Sequence, residues 1–211
     1  MSKTNSTLPV LYSFRRCPYA MRARLALFFA KQTVEHREVI LRDIPKQMTE
    51  ISPKATVPVM QLQDGRVIDE SLDIVLWALE QNDPQSLMQD TSQLGDMLAL
   101  IDENDHDFKG KLDRYKYFDR FPAHSQTEYR EQGEVFLQKL EQRLSVAPNL
   151  FGDEIRVADI AIMPFVRQFA HVDKPWFDTS DYPNLRRWLG AWLISEPFTE
   201  IMVKYPQWQA D

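Results

Sequence analysis

Two rhythms run along this chain. Over the first eighty or so residues, short apolar runs alternate with helical stripes. Val10 to Phe14 is a continuous apolar run that reads as a buried strand. Pro18 to Lys31 has helical spacing, with Met21, Leu25 and Phe28 or Phe29 on one stripe. Val34 to Ile40 alternates, placing Val34, His36, Glu38 and Ile40 on one face of a second strand. Pro45 to Ile51 is a short, weak helix. Val57 to Leu62, Asp64-Gly65 and Arg66 to Ile68 form a hairpin pattern around an Asp-Gly turn. Ser71 then reads as the N-cap of an apolar helix from Leu72 to Gln81. The predicted order is β-α-β-(α)-β-β-α.

The polar stretch Asn82 to Ser92, with Pro84, reads as a linker, and beyond it only the helical period remains. Leu94, Met97, Leu98 and Ile101 share a stripe. Ser125 and Glu128 have capping-box spacing. The helix they open carries Gly133, Phe136, Leu137, Leu140 and Leu144 on one face, ending near Leu144. Val157 to Ala170 is apolar and contains Pro164, which predicts a kink. Pro183 opens a helix with Leu185, Trp188, Leu189 and Trp192 aligned. The pattern predicts an α/β domain of thioredoxin-like order over residues 8–82, followed by an all-helical domain over 92–211.

Composition narrows the picture. The 211 residues are 44% hydrophobic and 27% charged, enough to bury a sizeable core. A net charge of −6 argues against a general nucleic-acid or anionic-membrane role. Met1 to Pro9 is polar and lacks a signal-peptide core, and no uncharged stretch reaches membrane-spanning length. A cytoplasmic location is the default expectation. His36, His106, His124 and His171 are scattered without metal-ligand spacing, so no metal is expected.

The candidate chemistry lies at Cys17, the single cysteine, within Arg15-Arg16-Cys17-Pro18-Tyr19-Ala20. A lone cysteine is most often a small buried hydrophobe. Its position between a strand and a helix argues otherwise. The first-turn N–H groups and the helix dipole favour negative charge there, and Arg15 and Arg16 add to that field. Both effects favour the thiolate, the nucleophilic form. Pro18 suits the first helical turn, where an N–H is not needed. A Cys-x-x-Cys pair would need a thiol at position 20, which is Ala20. Any disulfide made by Cys17 must therefore be with another molecule.

Four features in this order resemble the cytosolic glutathione transferases over nearly the whole chain. They are Cys17-Pro18-Tyr19-Ala20 after the first strand, Pro53-Lys54-Ala55-Thr56-Val57-Pro58-Val59, Asp69-Glu70-Ser71 at a helix start, and Gly152-Asp153-Glu154-Ile155-Arg156-Val157-Ala158-Asp159-Ile160-Ala161. The first is similar to cysteine-type classes such as omega and to glutaredoxin-like relatives. The resemblance implies the fold of that family: a thioredoxin-like domain and then a helical bundle. It implies glutathione as co-substrate, a small electrophilic or disulfide second substrate, and a homodimer. Val57–Pro58 would be cis, with the Val57 backbone pairing the cysteinyl part of glutathione. Glu70 and Ser71 would hold the γ-glutamyl ammonium and carboxylate; otherwise they are a loop charge and a plain N-cap.

The sequence also departs from the pattern. Ile44 stands where related proteins often carry Lys for the glycine carboxylate, leaving Lys46 or Arg42 as substitutes. Ala55 replaces a usual Gly, a change read as minor. Arg156 occupies an N-cap position and cannot accept an N–H, so that cap reads as weakened; Asp159 reads as structural. Pro18 and Tyr19 adjoin the thiol and join the glutathione-contacting set, although Tyr12 and Tyr19 read first as packing residues. Phe108 and Tyr115 either border the hydrophobic co-substrate pocket or cover the core. Trp176, Trp188, Trp192 and Trp208 read as packing residues, and Arg186-Arg187 as a solvated face.

The leading expectation is a monothiol route in which Cys17 forms a mixed disulfide with glutathione and a second glutathione releases it. This would give thiol transfer, deglutathionylation or dehydroascorbate reduction. Two alternatives stay open: conventional conjugation with Cys17 only stabilising the glutathione thiolate, and a non-catalytic binding module of the same fold.

Overall fold

A computed structural model describes residues 7–88 and 91–210. Residues 1–6 of the polar N-terminal stretch, 89–90 of the predicted linker and Asp211 lie outside the described residues. The chain forms two compact units: residues up to Gln85 together with those from Glu196 onward, and Ser86–Ser195.

The first unit follows the predicted order. It comprises β1 (Val10–Ser13), α1 (Pro18–Phe29), β2 (Glu35–Glu38), α2 (Lys46–Ile51), β3 (Val59–Gln61), β4 (Val67–Ile68) and α3 (Ser71–Gln81). The four strands lie in the order β2-β1-β3-β4. β1 runs parallel to β2, with Leu11 opposite His36, and antiparallel to β3, with Leu11 opposite Met60. The Asp-Gly turn forms as expected. Gly65 adopts φ +90°, a conformation that costs glycine no Cβ clash.

α1 is buried far more widely than one stripe. It packs against α3 and against α10 (Glu196–Ile201), so even Arg22 and Arg24 are sequestered, at 2% and 7% exposure. α10 and the segment after it therefore belong to the first unit in space, although they come last in sequence and were predicted with the helical domain.

The second unit holds α4 (Thr91–Glu103), a π-helical turn (Asn104–Phe108), α5 (Lys109–Lys116), α6 (Gln126–Leu144), α7 (Val157–Ala170), α8 (Lys174–Thr179) and α9 (Pro183–Leu193). Part of the predicted linker is anchored here. Leu87 is buried, its carbonyl accepts from Val157 N–H, and Ser86 O accepts from Arg156 Nη1 at 2.6 Å. The capping box of α6 is complete: Glu128 N–H donates to Ser125 Oγ, and Ser125 N–H to Glu128 Oε2 at 2.7 Å. α7 runs through Pro164.

The cap of α7 is half of a box, as Arg156 dictates. Arg156 N–H donates to Asp159 Oδ2, while Leu150 N–H and Trp188 Nε1–H both donate to Oδ1, each at 3.0 Å. Asp159 is thus a buried structural knot joining three segments.

Phe108 and Tyr115 are core residues, correcting the co-substrate-pocket expectation. They are 0% and 1% exposed, and both rings pack on Phe169, at 5.5 and 4.8 Å. Burial pushes the Tyr115 hydroxyl up to about 12, so it offers no proton chemistry near neutrality. Helical spacing alone could not show which side of the helix faced the bundle.

Candidate functional site

β1 ends beneath a short turn that delivers Cys17 to the start of α1. Cys17 N–H donates to Phe14 O at 3.0 Å, and Cys17 O accepts the first helical bond from Met21 N–H at 2.9 Å. Cys17 is the N-cap residue (φ −74°, ψ 125°) and Pro18 occupies the first helical position. Pro18 is buried; Cys17 and Tyr19 are half-buried. The thiol therefore sits where the helix leaves backbone N–H groups without intrahelical acceptors.

Across from it lies the loop before β3. The Val57–Pro58 bond is cis. Val57 O lies 3.7 Å from Cys17 Sγ, within reach of an S–H donor. The thiol and the Val57 backbone, predicted from separate motifs, are brought together.

Glu70 and Ser71 open α3. Glu70 is the N-cap and Ser71 the first helical residue, one position later than the sequence reading placed it. Ser71 does not cap the helix. Its buried Oγ accepts from Arg22 Nε at 3.0 Å, and the Arg22 guanidinium lies 5.2 Å from the Tyr19 ring centroid. An arginine donating to a serine oxygen leaves that hydroxyl's own proton available for another acceptor.

The exposed Glu70 carboxylate is paired with Lys54 at 2.6 Å, and Lys54 Nζ also donates to Asp69 O at 3.0 Å. Despite some burial, which works the other way, the bonds to Glu70 and Asp69 raise the Lys54 ammonium above its ordinary value. Lys46, by contrast, is 86% exposed and pairs with Glu50 on its own helix at 3.5 Å. Arg22 and Lys54 are thus site residues the sequence reading missed. Lys54 lay within the Pro53–Val59 motif and was legible from it. Arg22 reads as an ordinary helix charge until α3 is in place.

The arrangement offers a sulfur at a helix N-terminus, an extended backbone edge beside it, and a mixed-charge end built from Lys54, Glu70, Ser71 and Arg22. Among the described residues no cluster of His, Cys, Asp or Glu is placed to hold a metal ion. Among the same residues no helix is long and apolar enough to cross a membrane.

Comparison with known proteins agrees with the fold. Residues 11–107 match the glutathione S-transferase N-terminal domain, and residues 123–191 match the C-terminal domain. The chain is 26% identical to a probable maleylacetoacetate isomerase of Caenorhabditis elegans, over 85% of this chain and 86% of that protein. It is 35% identical to glutaredoxin 2 of Escherichia coli K12 over 31% of this chain and 30% of that one. A glutathione transferase family member from Pseudomonas fluorescens, solved with two glutathione molecules bound, superposes with a TM-score of 0.80, at 16% identity, over 92% of each chain. With both domain models matched in order on a thioredoxin-like unit and a helical unit, the chain belongs to the glutathione S-transferase family.

Proposed function

We propose that this protein is a glutathione-dependent transferase of the cysteine type. The carrying observation is Cys17 at the N-cap of α1, with Sγ 3.7 Å from the carbonyl of Val57. In this reading glutathione lies extended along residues 57–59. Its γ-glutamyl ammonium meets Glu70, its carboxylate meets the Ser71 hydroxyl and the α3 N-terminus, and Pro18 and Tyr19 flank its sulfur. The Cys17 thiolate attacks the glutathione sulfur of a mixed disulfide; the new S–S bond forms as the old one breaks and the other thiolate leaves. A second glutathione thiolate then attacks the same glutathione sulfur. Cys17 thiolate departs and oxidised glutathione forms, so electrons balance without a second cysteine.

The likeness to glutaredoxin 2 over 31% of this chain supports this reading. The likeness to an isomerase over 85% of the chain favours a second one, in which Cys17 holds the glutathione thiolate while that thiolate adds to an unsaturated substrate. The second domain would supply the co-substrate pocket, and two copies would form the working dimer.

Intact mass after incubation with oxidised glutathione, beside a Cys17→Ala control, decides between them. One glutathionyl adduct per chain, removed by reduced glutathione and absent in the control, is the expected result. Glutathione binding without an adduct would overturn the monothiol route and leave the second reading.

A further inference from the structure

The turn that presents Cys17 is gripped by two buried groups of opposite charge that the chemistry above does not use. Arg15, two residues before the thiol, is held at both ends of its backbone. Its N–H donates to Glu38 Oε1 at 2.8 Å, and its carbonyl accepts from Arg24 Nη2 at 2.7 Å. Arg24 Nη1 also donates to Ser13 Oγ and, at 3.4 Å, to Phe14 O, the same carbonyl that accepts Cys17 N–H. Arg24 and Glu38 are 7% and 9% exposed.

The end of the chain closes over both. Arg24 Nε donates to Ile201 O at 3.1 Å, and Trp208 N–H donates to Glu38 O at 2.9 Å. Glu38 Oε2 is bonded to His36 Nε2 at 3.0 Å, and the His36 ring stacks on Tyr205 with centroids 4.3 Å apart. The guanidinium donates to oxygens of Ser13, Phe14, Arg15 and Ile201, so this arginine is committed to shape and field rather than to solvent.

We propose that Arg24 and Glu38 are positioning residues for the Cys17 nucleophile, locked in place by the segment from Ile201 to Trp208. The inference rests on Cys17 being the reactive group. Two effects follow. The fork-shaped Arg24 fixes the turn that aims the sulfur. The pair also sets the local field, the cation favouring thiolate and the carboxylate opposing it.

The charged and titratable groups facing Arg24 are Glu38, Cys17, Arg15 and Tyr205. Burial pulls the guanidinium down to about 10, while Glu38 and Cys17 act against that. A charge on Cys17 is thus felt at Arg24, and the interaction is mutual. For Glu38 burial pushes upward, but His36, the Arg15 N–H and Arg24 together hold it below the ordinary carboxylate value.

The test is the pH dependence of Cys17 alkylation by iodoacetamide. It needs no glutathione and is unambiguous in a chain with one thiol. Arg24→Gln should raise the alkylation midpoint by about one pH unit, about tenfold in rate below the midpoint. Glu38→Gln should lower it. Arg24→Lys keeps the charge and loses the fork, so its midpoint should stay near the parent value while glutathionylation slows. Midpoints that stay put, or move the same way in Arg24→Gln and Glu38→Gln, would overturn the proposal. If Arg24→Gln does not fold, Glu38→Gln decides alone: a midpoint that stays or rises overturns it. Normal alkylation shifts without any glutathione adduct would uphold this inference and defeat only the monothiol function.

Discussion

Ala55 shows how much a single backbone angle carries. It adopts φ +54° in the loop that leads to the cis Val57–Pro58 bond, and its N–H donates to Ser52 O at 3.1 Å. A left-handed conformation costs an L-residue with a Cβ roughly 1–2 kcal/mol, a cost glycine escapes. The change from the usual Gly, minor as a difference of one methyl group, is not minor at this angle. Ala55→Gly should relieve the strain and lose part of the gain to the freer unfolded chain, leaving a net stabilisation of about 1 kcal/mol. In a chain of this size that raises the thermal midpoint by roughly 2–4 °C. Thermal unfolding of the variant checks it, and a lowered midpoint would show that the loop does not bear this strain. The same scale explains which site residues were legible. Cys17, Val57, Pro58, Glu70 and Ser71 belong to contiguous motifs. Arg22 and Arg24 do not, because arginines on a helix read as solvated. What buries them comes from Ser71, the Ser13–Arg15 turn and Ile201, and Ile201 lies 177 residues away from Arg24.

Elements were read best where a period and a punctuation mark coincide. The Asp-Gly hairpin, the Ser125 capping box and the Pro-started helices all formed near their predicted places. The identity of a packing partner, by contrast, is not written in a helical period. α4, the π-helical turn and α5 form one helical run, and only its neighbours fix which side carries Phe108 and Tyr115 inward. The contact between α6 and α7 is a sharp case. Gly133 faces Phe169 so closely that an added Cβ would come within 2.5 Å of the ring. In an open helix Gly→Ala gains about 1 kcal/mol of propensity. Here the ring is hemmed in by Phe108, Tyr115 and Trp176 and cannot swing aside. Overpacking of this kind costs about 1–3 kcal/mol. Gly133→Ala should therefore gain nothing and lose up to about 2 kcal/mol in chemical denaturation, against the propensity rule. A stabilised variant would mean that the aromatic cluster yields.

For the molecule as a whole, chain order and spatial order part at Glu196. The residues from Glu196 onward were predicted with the helical domain, yet Ile201 and Trp208 bond to the first unit. No pattern of apolar residues in Glu196–Trp208 announces which unit it will cover; the carbonyl of Ile201 and the N–H of Trp208 are backbone groups any sequence has. The second unit has its own long-range tie, and that one sets a pH dependence. Asp159 is completely buried, and burial pushes its carboxyl up to about 6 from an ordinary 3.8, despite N–H donors from Leu150, Arg156 and Trp188. A carboxyl raised on folding holds its proton more tightly in the folded chain. Its stabilising share is therefore full below about pH 4 and is lost as pH rises toward 6. At 1.36 kcal/mol per unit the share is about 3 kcal/mol. Glu38, held low, works in the opposite sense and loses its share on acidification, so the total profile mixes both signs. Asp159→Asn separates them. The amide keeps an acceptor for Leu150 and Trp188 but turns a donor toward the Arg156 N–H, so the variant should be less stable at pH 4. Because the amide does not titrate, the deficit relative to the parent should shrink by about 2 kcal/mol between pH 4 and pH 7. Urea unfolding of both proteins at the two pH values reads this directly. A deficit that stays constant would mean that the three N–H donors keep Asp159 ionised throughout, and that hydrogen bonding outweighs burial at this knot.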